Sequence, residues 1–206
     1  MVGASGAGKT TLAAVIAGIH PPDAGTVNRP DRTAMITQEA HVFAGTVREN
    51  LTLAAPGITD GDIQAALVPI GAAGLLGLLP DGLDTVVGTG GHPLTDAQAQ
   101  HLALARLVLA DPELAILDEA TAEAGSTHAG QLDRAAEAVL TGRTGIVIAH
   151  RLSQAATCDR IVVMDGGRIV ESGTHAELIT REGTYARLWR ARSTGQSAGQ
   201  RSQVKR

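Results

Sequence analysis

The sequence predicts an α/β fold, a parallel-sheet core carrying a helical insertion, and three observations support that prediction. Residues Gly3 to Thr10 (Gly-Ala-Ser-Gly-Ala-Gly-Lys-Thr) fit the pattern G-x-x-x-x-G-K-[ST] at every fixed position. Three short apolar runs, Leu114 to Leu117, Gly145 to Ala149 and Arg160 to Met164, are spaced by a helical stretch from Gln131 to Leu140, as strands buried on both faces of a sheet are. Between Thr46 and Leu109 the apolar spacing is helical instead. The chain is therefore expected to divide into a first core part (1–45), a helical subdomain (46–110), the rest of the core (111–192) and a basic tail (193–206).

Each element follows from a local signal. Glycines in the first loop let backbone N–H groups curl around anionic oxygens without a Cβ clash. Lys9, one of only two lysines in the chain, stands where an ammonium reaches the outer phosphates. The expected phosphate contacts are Gly3, Ser5, Gly6, Ala7, Gly8, Lys9, Thr10 and Thr11, with the Thr10 hydroxyl able to ligate Mg²⁺. Thr10 to Gly18 is the helix whose positive end faces those phosphates. His20 to Gly25 is a turn, and Thr33 to Thr37 is a strand running into Gln38. Helices are expected near Thr59 to Leu67, Gly71 to Leu79 and Thr95 to Leu109, the last stopped by Asp111-Pro112. Val162 to Met164 and Arg168 to Glu171 flank the turn Asp165-Gly166-Gly167 as a hairpin, and Thr174-His175-Ala176-Glu177 is a capping box opening a further helix.

Composition excludes several function classes. The net charge is −4 and the only aromatic residues are Phe43, Tyr185 and Trp189. A nucleic-acid binder needs a basic surface to neutralise phosphates and often aromatic platforms for bases, so no nucleic acid is expected as a partner. The single cysteine, Cys158, makes no internal disulfide and no metal cluster, which suits a reducing compartment. The chain opens on a glycine loop, unlike a signal peptide. Its longest apolar stretch, Ile63 to Leu79, is broken by Gln64, Pro69, Gly71, Gly74 and Gly77, so no transmembrane segment is expected. From Gly183 onward there are six basic residues and no acid; the tail reads as solvated and disordered, with contact to an anionic membrane surface as the alternative.

The chemistry is expected at strand ends. Leu114 to Leu117 delivers Asp118 and Glu119 at its C-terminal end, where α/β sheets place ligand chemistry. Asp118 is the expected Mg²⁺ partner, and Glu119, pointing the other way, is the expected general base for an attacking water. Gly145 to Ala149 ends in His150, aimed at the same edge to hydrogen-bond a γ-phosphate. Gln38 joins that layer as a partner of Mg²⁺ or of the attacking water.

Together these residues resemble the nucleotide-binding domain of an ATP-binding cassette (ABC) transporter of the exporter type, over nearly the whole chain. The motifs that carry the resemblance are the phosphate loop, the segment Ile36 to Leu51, the Asp118-Glu119 pair and Ile148-Ala149-His150-Arg151-Leu152-Ser153. The resemblance implies a P-loop NTPase core, ATP and Mg²⁺ as cofactors, and ATP hydrolysis. It also implies two kinds of partner: a second nucleotide-binding domain closing head to tail over two ATP molecules, and the transmembrane domains of an exporter. The implied location is the cytoplasmic face of the plasma membrane. Gln38 and the segment after it look like the face that touches the membrane domains.

Three departures qualify the resemblance. The family signature, usually Leu-Ser-Gly-Gly-Gln, is matched by Leu94-Thr95-Asp96-Ala97-Gln98. Thr95 and Gln98 keep groups that would meet the partner's ATP, but Asp96 puts a carboxylate where a glycine backbone should approach an anion. Thr95-x-x-Gln98 is equally a helix-capping box, so the cap and a weakened second ATP contact are expected together, in a heterodimer. Ala122-Glu123-Ala124-Gly125 replaces the family's Ser-Ala-Leu-Asp and loses the aspartate that links the two sites. Only Met1 and Val2 precede the loop where the family has a strand, so the chain is expected to be N-terminally truncated, a fragment of a longer transporter half or a decayed frame. Two further classes stay open: a non-catalytic nucleotide-binding remnant, and a soluble ABC-type ATPase acting on other macromolecules.

Overall fold

The computed structural model describes residues 1–37, 39–118, 126–149 and 151–191. Gln38, Glu119, the 122–125 loop, His150 and the 193–206 tail lie outside the described residues. The chain forms two compact units, Met1–Leu12 with Ile148–Arg206, and Ala13–Val147.

In the first unit, β1 (Val2–Gly3) runs parallel to β7 (Ile161–Asp165), with Val2 opposite Val163 and Gly3 opposite Met164. The strand that enters the loop is paired at both of its residues, and the Met1 carbonyl also accepts from the Ala149 N–H at 3.0 Å. On the other side of β7 lies the antiparallel β8 (Arg168–Gly173), giving the order β1-β7-β8 and the expected hairpin. The Thr174 capping box is present: Thr174 and Glu177 bond each other's backbone N–H at 3.3 and 3.0 Å and start the helix His175–Thr180. Glu171 accepts the Thr184 and Tyr185 N–H groups and so caps the helical stretch at 184–191. Tyr185 is fully buried, with its hydroxyl 2.8 Å from His175 Nδ1, and Trp189 packs edge-on against that imidazole.

The second unit holds the sheet β2-β5-β6, formed by β2 (Thr33–Ile36), β5 (Leu114–Asp118) and β6 (Thr144–Ile148). β2 and β5 are parallel, in register from Thr33–Leu114 to Ile36–Leu117, and every residue of β5 is buried, as its unbroken apolar run requires. The helical part contains α2 (Val47–Thr52), α3 (Asp60–Leu67), α4 (Asp96–Ala110) and α5 (Ser126–Leu140). α4 is central, packing against α2, α3, α5 and β2 around a core that includes Leu51, Ile63, Leu67, Leu102, Leu104 and Leu132. Reciprocal capping boxes open three of these helices, at Thr46–Glu49, Thr59–Asp62 and Thr95–Gln98. The expected helix over Gly71 to Leu79 is not formed. Only Leu76–Leu78 makes a single 3₁₀ turn, because three glycines favour the unfolded chain and Gly71 takes a left-handed conformation that ends the preceding helical path. Ile70, Ala72, Leu75 and Leu79 are nonetheless buried there, so the apolar spacing reports burial without regular helix.

α4 ends on Asp111, whose φ of 41° is left-handed, followed by Pro112. The Asp111 carboxylate accepts from Arg143 Nη2 at 2.9 Å, and Arg32 donates to its carbonyl at 3.0 Å and to Glu113 at 3.2 Å. Three segments of the sheet's N-terminal edge are thereby pinned to the helix end. Arg143 first, then Arg32, holds the Asp111 carboxyl below its ordinary 3.8. A carboxylate depressed in this way contributes stability that is fully present above the unfolded value and lost as pH falls through the folded one. Asp111→Asn, which tolerates the left-handed backbone but carries no charge, is expected to unfold at lower denaturant than wild type at pH 7, with the difference closing as pH is lowered below 3.8. Asp111→Ala should cost about 1 kcal/mol more than Asp111→Asn at either pH, since its Cβ opposes the left-handed conformation without a side chain to compensate.

Candidate functional site

The loop Gly3–Thr10 is set by the strand that enters it. Pairing of Gly3 with Met164 brings the two backbones so close that a Cβ on Gly3 would collide with the Met164 carbonyl oxygen. The chain then turns through Gly6 (φ 77°) and Gly8 (φ 89°), both in left-handed conformation, and Lys9 starts α1 (Lys9–Ala17). Ala7 is buried while Ser5, Gly6, Thr10 and Thr11 are exposed, so one side of the loop is anchored and the other is open to a ligand. Lys9 Nζ donates to the carbonyls of Gly3 at 3.0 Å and Ala4 at 2.9 Å, which folds the ammonium back over the loop it must serve. A helix N-terminus preceded by open backbone donors and an ammonium is a site for a polyanion. The loop residues expected from the sequence are thus brought together by the first unit.

In the second unit, Asp118 closes β5 and is 4% exposed. A buried carboxylate at the C-terminal end of a central strand has acceptor oxygens and little water, which fits a hard cation held through one carboxylate and its own ligands. Among the described residues no group of three or more His, Cys, Asp or Glu forms an all-protein cage. At the start of α4, Thr95 Oγ1 accepts from the Gln98 N–H at 3.3 Å and Gln98 Oε1 accepts from the Thr95 N–H at 2.9 Å. The capping role of the Thr95–Gln98 pair is therefore in place. Asp96 occupies the first helical position, exposed, where its charge complements the helix dipole.

One constellation escaped the sequence reading. Asn50, 1% exposed on α2, accepts at Oδ1 from the Phe43 N–H (2.9 Å) and from Arg106, and donates from Nδ2 to the carbonyls of Phe43 (2.9 Å) and Thr46 (3.0 Å). Arg106, on α4, also donates to the carbonyls of Asn50 (2.8 Å) and His41 (2.7 Å) and lies 5.2 Å over the Phe43 ring. Burial lowers the Arg106 guanidinium from its ordinary value, and the carbonyl ring around it supplies the compensating acceptors. The network fixes the 41–50 segment along a groove of about 240 Å³ whose floor includes Ala34, Ala40, Ala54 and Ala103. Phe43 (47% exposed) on this segment and Leu53 (63% exposed) just after it are large apolar side chains in solvent. The available signal was an arginine on an otherwise apolar helix face, Leu102 to Leu109, which needs buried acceptors somewhere else in the chain.

The family model described as ABC transporter matches residues 1–122. Over 91% of its length the chain is 38% identical to an ATP-dependent lipid A-core flippase of Thiobacillus denitrificans, of which it covers 35%. It is 37% identical over 92% of its length to a multidrug efflux ATP-binding/permease protein of Mycobacterium bovis, covering 17% of that protein. Among solved structures, a bacterial Atm1-family ABC exporter with ATP bound superposes with a TM-score of 0.82 at 32% identity, over 93% of this chain and 36% of that one. The chain thus spans about a third or less of the length of these relatives.

Asn50 generates the prediction here. Asn50→Ala strips acceptors from the Phe43 N–H and from Arg106 together, and should lower the unfolding free energy by about 3 kcal/mol in equilibrium denaturation, because buried donors are left unsatisfied. A loss under 0.5 kcal/mol, estimated on the same basis as roughly an exposed substitution, would show that the network carries no load.

Proposed function

This chain belongs to the ABC transporter family, and we propose that it is the ATP-binding and ATP-hydrolysing domain of an exporter, driving the membrane domains that move a substrate. The observation that supports this reading first is the loop Gly3–Thr10, anchored by β1 and open toward solvent at the N-terminus of α1. In this reading the loop amides and Lys9 bind the β- and γ-phosphates, Lys9 exchanging the Gly3 and Ala4 carbonyls for phosphate oxygens. Thr10, Asp118 and Gln38 would hold Mg²⁺, which when bound neutralises charge on the phosphate oxygens. Glu119 takes the proton of the attacking water, and His150 hydrogen-bonds the γ-phosphate. Among the described residues no helix is long and apolar enough to cross a membrane. Membership of a family whose relatives include membrane exporters supports a place at the cytoplasmic face, docked on membrane domains, and the groove beside Phe43 and Leu53 supports the 41–53 segment as the docking face.

The altered signature supports an asymmetric pair. In a head-to-tail homodimer Asp96 would face ATP at both sites, and at an effective dielectric of about 20 and roughly 5 Å each pair of unit charges costs on the order of 3 kcal/mol. A partner with an intact signature would instead complete an active site on this chain's ATP, while Thr95, Asp96 and Gln98 of this chain cover a slow site on the partner.

Two experiments test these readings in the assembled transporter. Glu119→Gln should retain ATP binding and lose turnover by about 10²-fold or more, since the amide keeps shape without basicity, whereas Lys9→Ala should weaken ATP binding itself. Unchanged turnover in Glu119→Gln would remove Glu119 from the role of base. Reverting Asp96 and Ala97 together to glycine should raise the ATPase of the chain paired with itself, and a robust self-paired ATPase that the reversion leaves unchanged would sink the asymmetric reading.

A further inference from the structure

The hairpin turn between β7 and β8 touches the phosphate loop. The register pairs Asp165 with Arg168, which leaves Gly166 (φ 51°) and Gly167 (φ 76°) as a two-residue connection with both residues left-handed. That is the turn type whose twist matches a hairpin, and its second central N–H is not required by the ladder. In this chain the Gly167 N–H donates to the Ala7 carbonyl at 3.1 Å, across 160 residues of sequence. Ala7 is 4% exposed, so its carbonyl has little water to turn to. The contact also demands close backbones: a Cβ on Gly8 would stand 3.4 Å from Gly167 Cα and 3.8 Å from Met164 Cε. The same strand supplies both anchors, since β7 pairs with β1 through Met164 and turns into Gly166–Gly167 two residues later.

We propose that Gly167 is a positioning residue for the phosphate loop. By holding the Ala7 carbonyl on the buried side, its N–H keeps the peptide units from Ala7 to Lys9 oriented so that the Gly8 and Lys9 N–H groups face the open side, where they meet phosphate oxygens. The loop is then ordered before the nucleotide arrives, and binding does not have to order it. Neither Gly167 nor the turn touches the nucleotide in this arrangement; both act through Ala7. The proposal rests on the reading of Gly3–Thr10 as the phosphate site.

The test replaces Gly167 in the intact protein by glycolic acid, which converts its N–H into an ester oxygen while leaving the turn's left-handed freedom. The probe is the Mg²⁺ complex of adenosine 5′-(β,γ-imido)triphosphate for affinity, and ATP for turnover. Losing one such hydrogen bond is expected to weaken analogue binding and raise KM by about ten-fold, with kcat within about two-fold, because saturating ATP restores the loop. A merely structural defect would reduce the number of folded sites and hence kcat at unchanged KM. The same ester at Gly166 should leave the KM unchanged. An unaltered KM in the Gly167 ester, or an equal rise in the Gly166 ester, overturns the proposal. Lys9→Ala run alongside separates the premises: if it binds the analogue as wild type does, the phosphate-site reading fails and the proposal falls with it, whereas if it loses binding and the Gly167 ester does not, the positioning role alone is wrong.

Discussion

A loop that offers its backbone to an anion must keep its own side chains out of the way, and the geometry of the first unit follows from that constraint. Gly3 meets the Met164 carbonyl, Gly8 meets Gly167, and the Ala7 carbonyl is taken by the Gly167 N–H. At Gly3 the contact leaves room for a hydrogen and nothing larger, since a Cβ there would overlap the Met164 carbonyl oxygen. The two-residue strand β1 suffices to impose this because it pairs with β7 on one side and accepts the Ala149 N–H through Met1 on the other. With the loop anchored on that buried side, Ser5, Gly6, Thr10 and Thr11 stay exposed, and the Lys9 ammonium lies over the Gly3 and Ala4 carbonyls. The proposed phosphate site is the open side that this backbone packing leaves, with the side chains of Lys9 and Thr10 beside it.

The second unit depends on a different kind of interaction. Its apolar helices α2, α3 and α4 could pack in several registers, since leucines and alanines are interchangeable at many positions. Asn50 and Arg106 are not. Asn50 ties the segment to itself through the Phe43 N–H and the carbonyls of Phe43 and Thr46, and the Arg106 bonds to the carbonyls of His41 and Asn50 exist only when that segment lies along α4 in one alignment. Because α4 also carries Thr95 at its start, the segment that faces the groove and the segment that bears the altered signature belong to one rigid helix.

The parts of this structure that were legible in the sequence are those governed by local rules. The loop was readable because its glycines and Lys9 sit at fixed spacing, β5 because five consecutive residues are buried, and the helix at Thr174 because a capping box is a four-residue device. The hairpin at Gly166-Gly167 was readable for the same reason. The failures have the opposite character. Gly71 to Leu79 carries helical apolar spacing, but Gly71, Gly74 and Gly77 withhold the backbone stiffness that spacing alone does not reveal. The α2 helix at Val47–Thr52 is too short for periodicity to detect, and Thr46 with Glu49 was its only announcement. The Asn50–Arg106 network joins residues 56 apart, and the Gly167–Ala7 bond joins residues 160 apart, so neither could be found without the fold. Glu119, His150 and Gln38 lie outside the described residues, and the roles proposed for them rest on chemistry and family membership.

The account's central claim is that Gly3 to Thr10 is a phosphate site formed by backbone amides and Lys9. Backbone hydrogen exchange followed by mass spectrometry, with and without the Mg²⁺ complex of a non-hydrolysable ATP analogue, tests it most directly. The account predicts strong protection of a peptide spanning residues 3–12 with the triphosphate, and much weaker protection with AMP, which lacks the outer phosphates. Protection confined to other peptides, with exchange at 3–12 unchanged at saturating analogue, would contradict it.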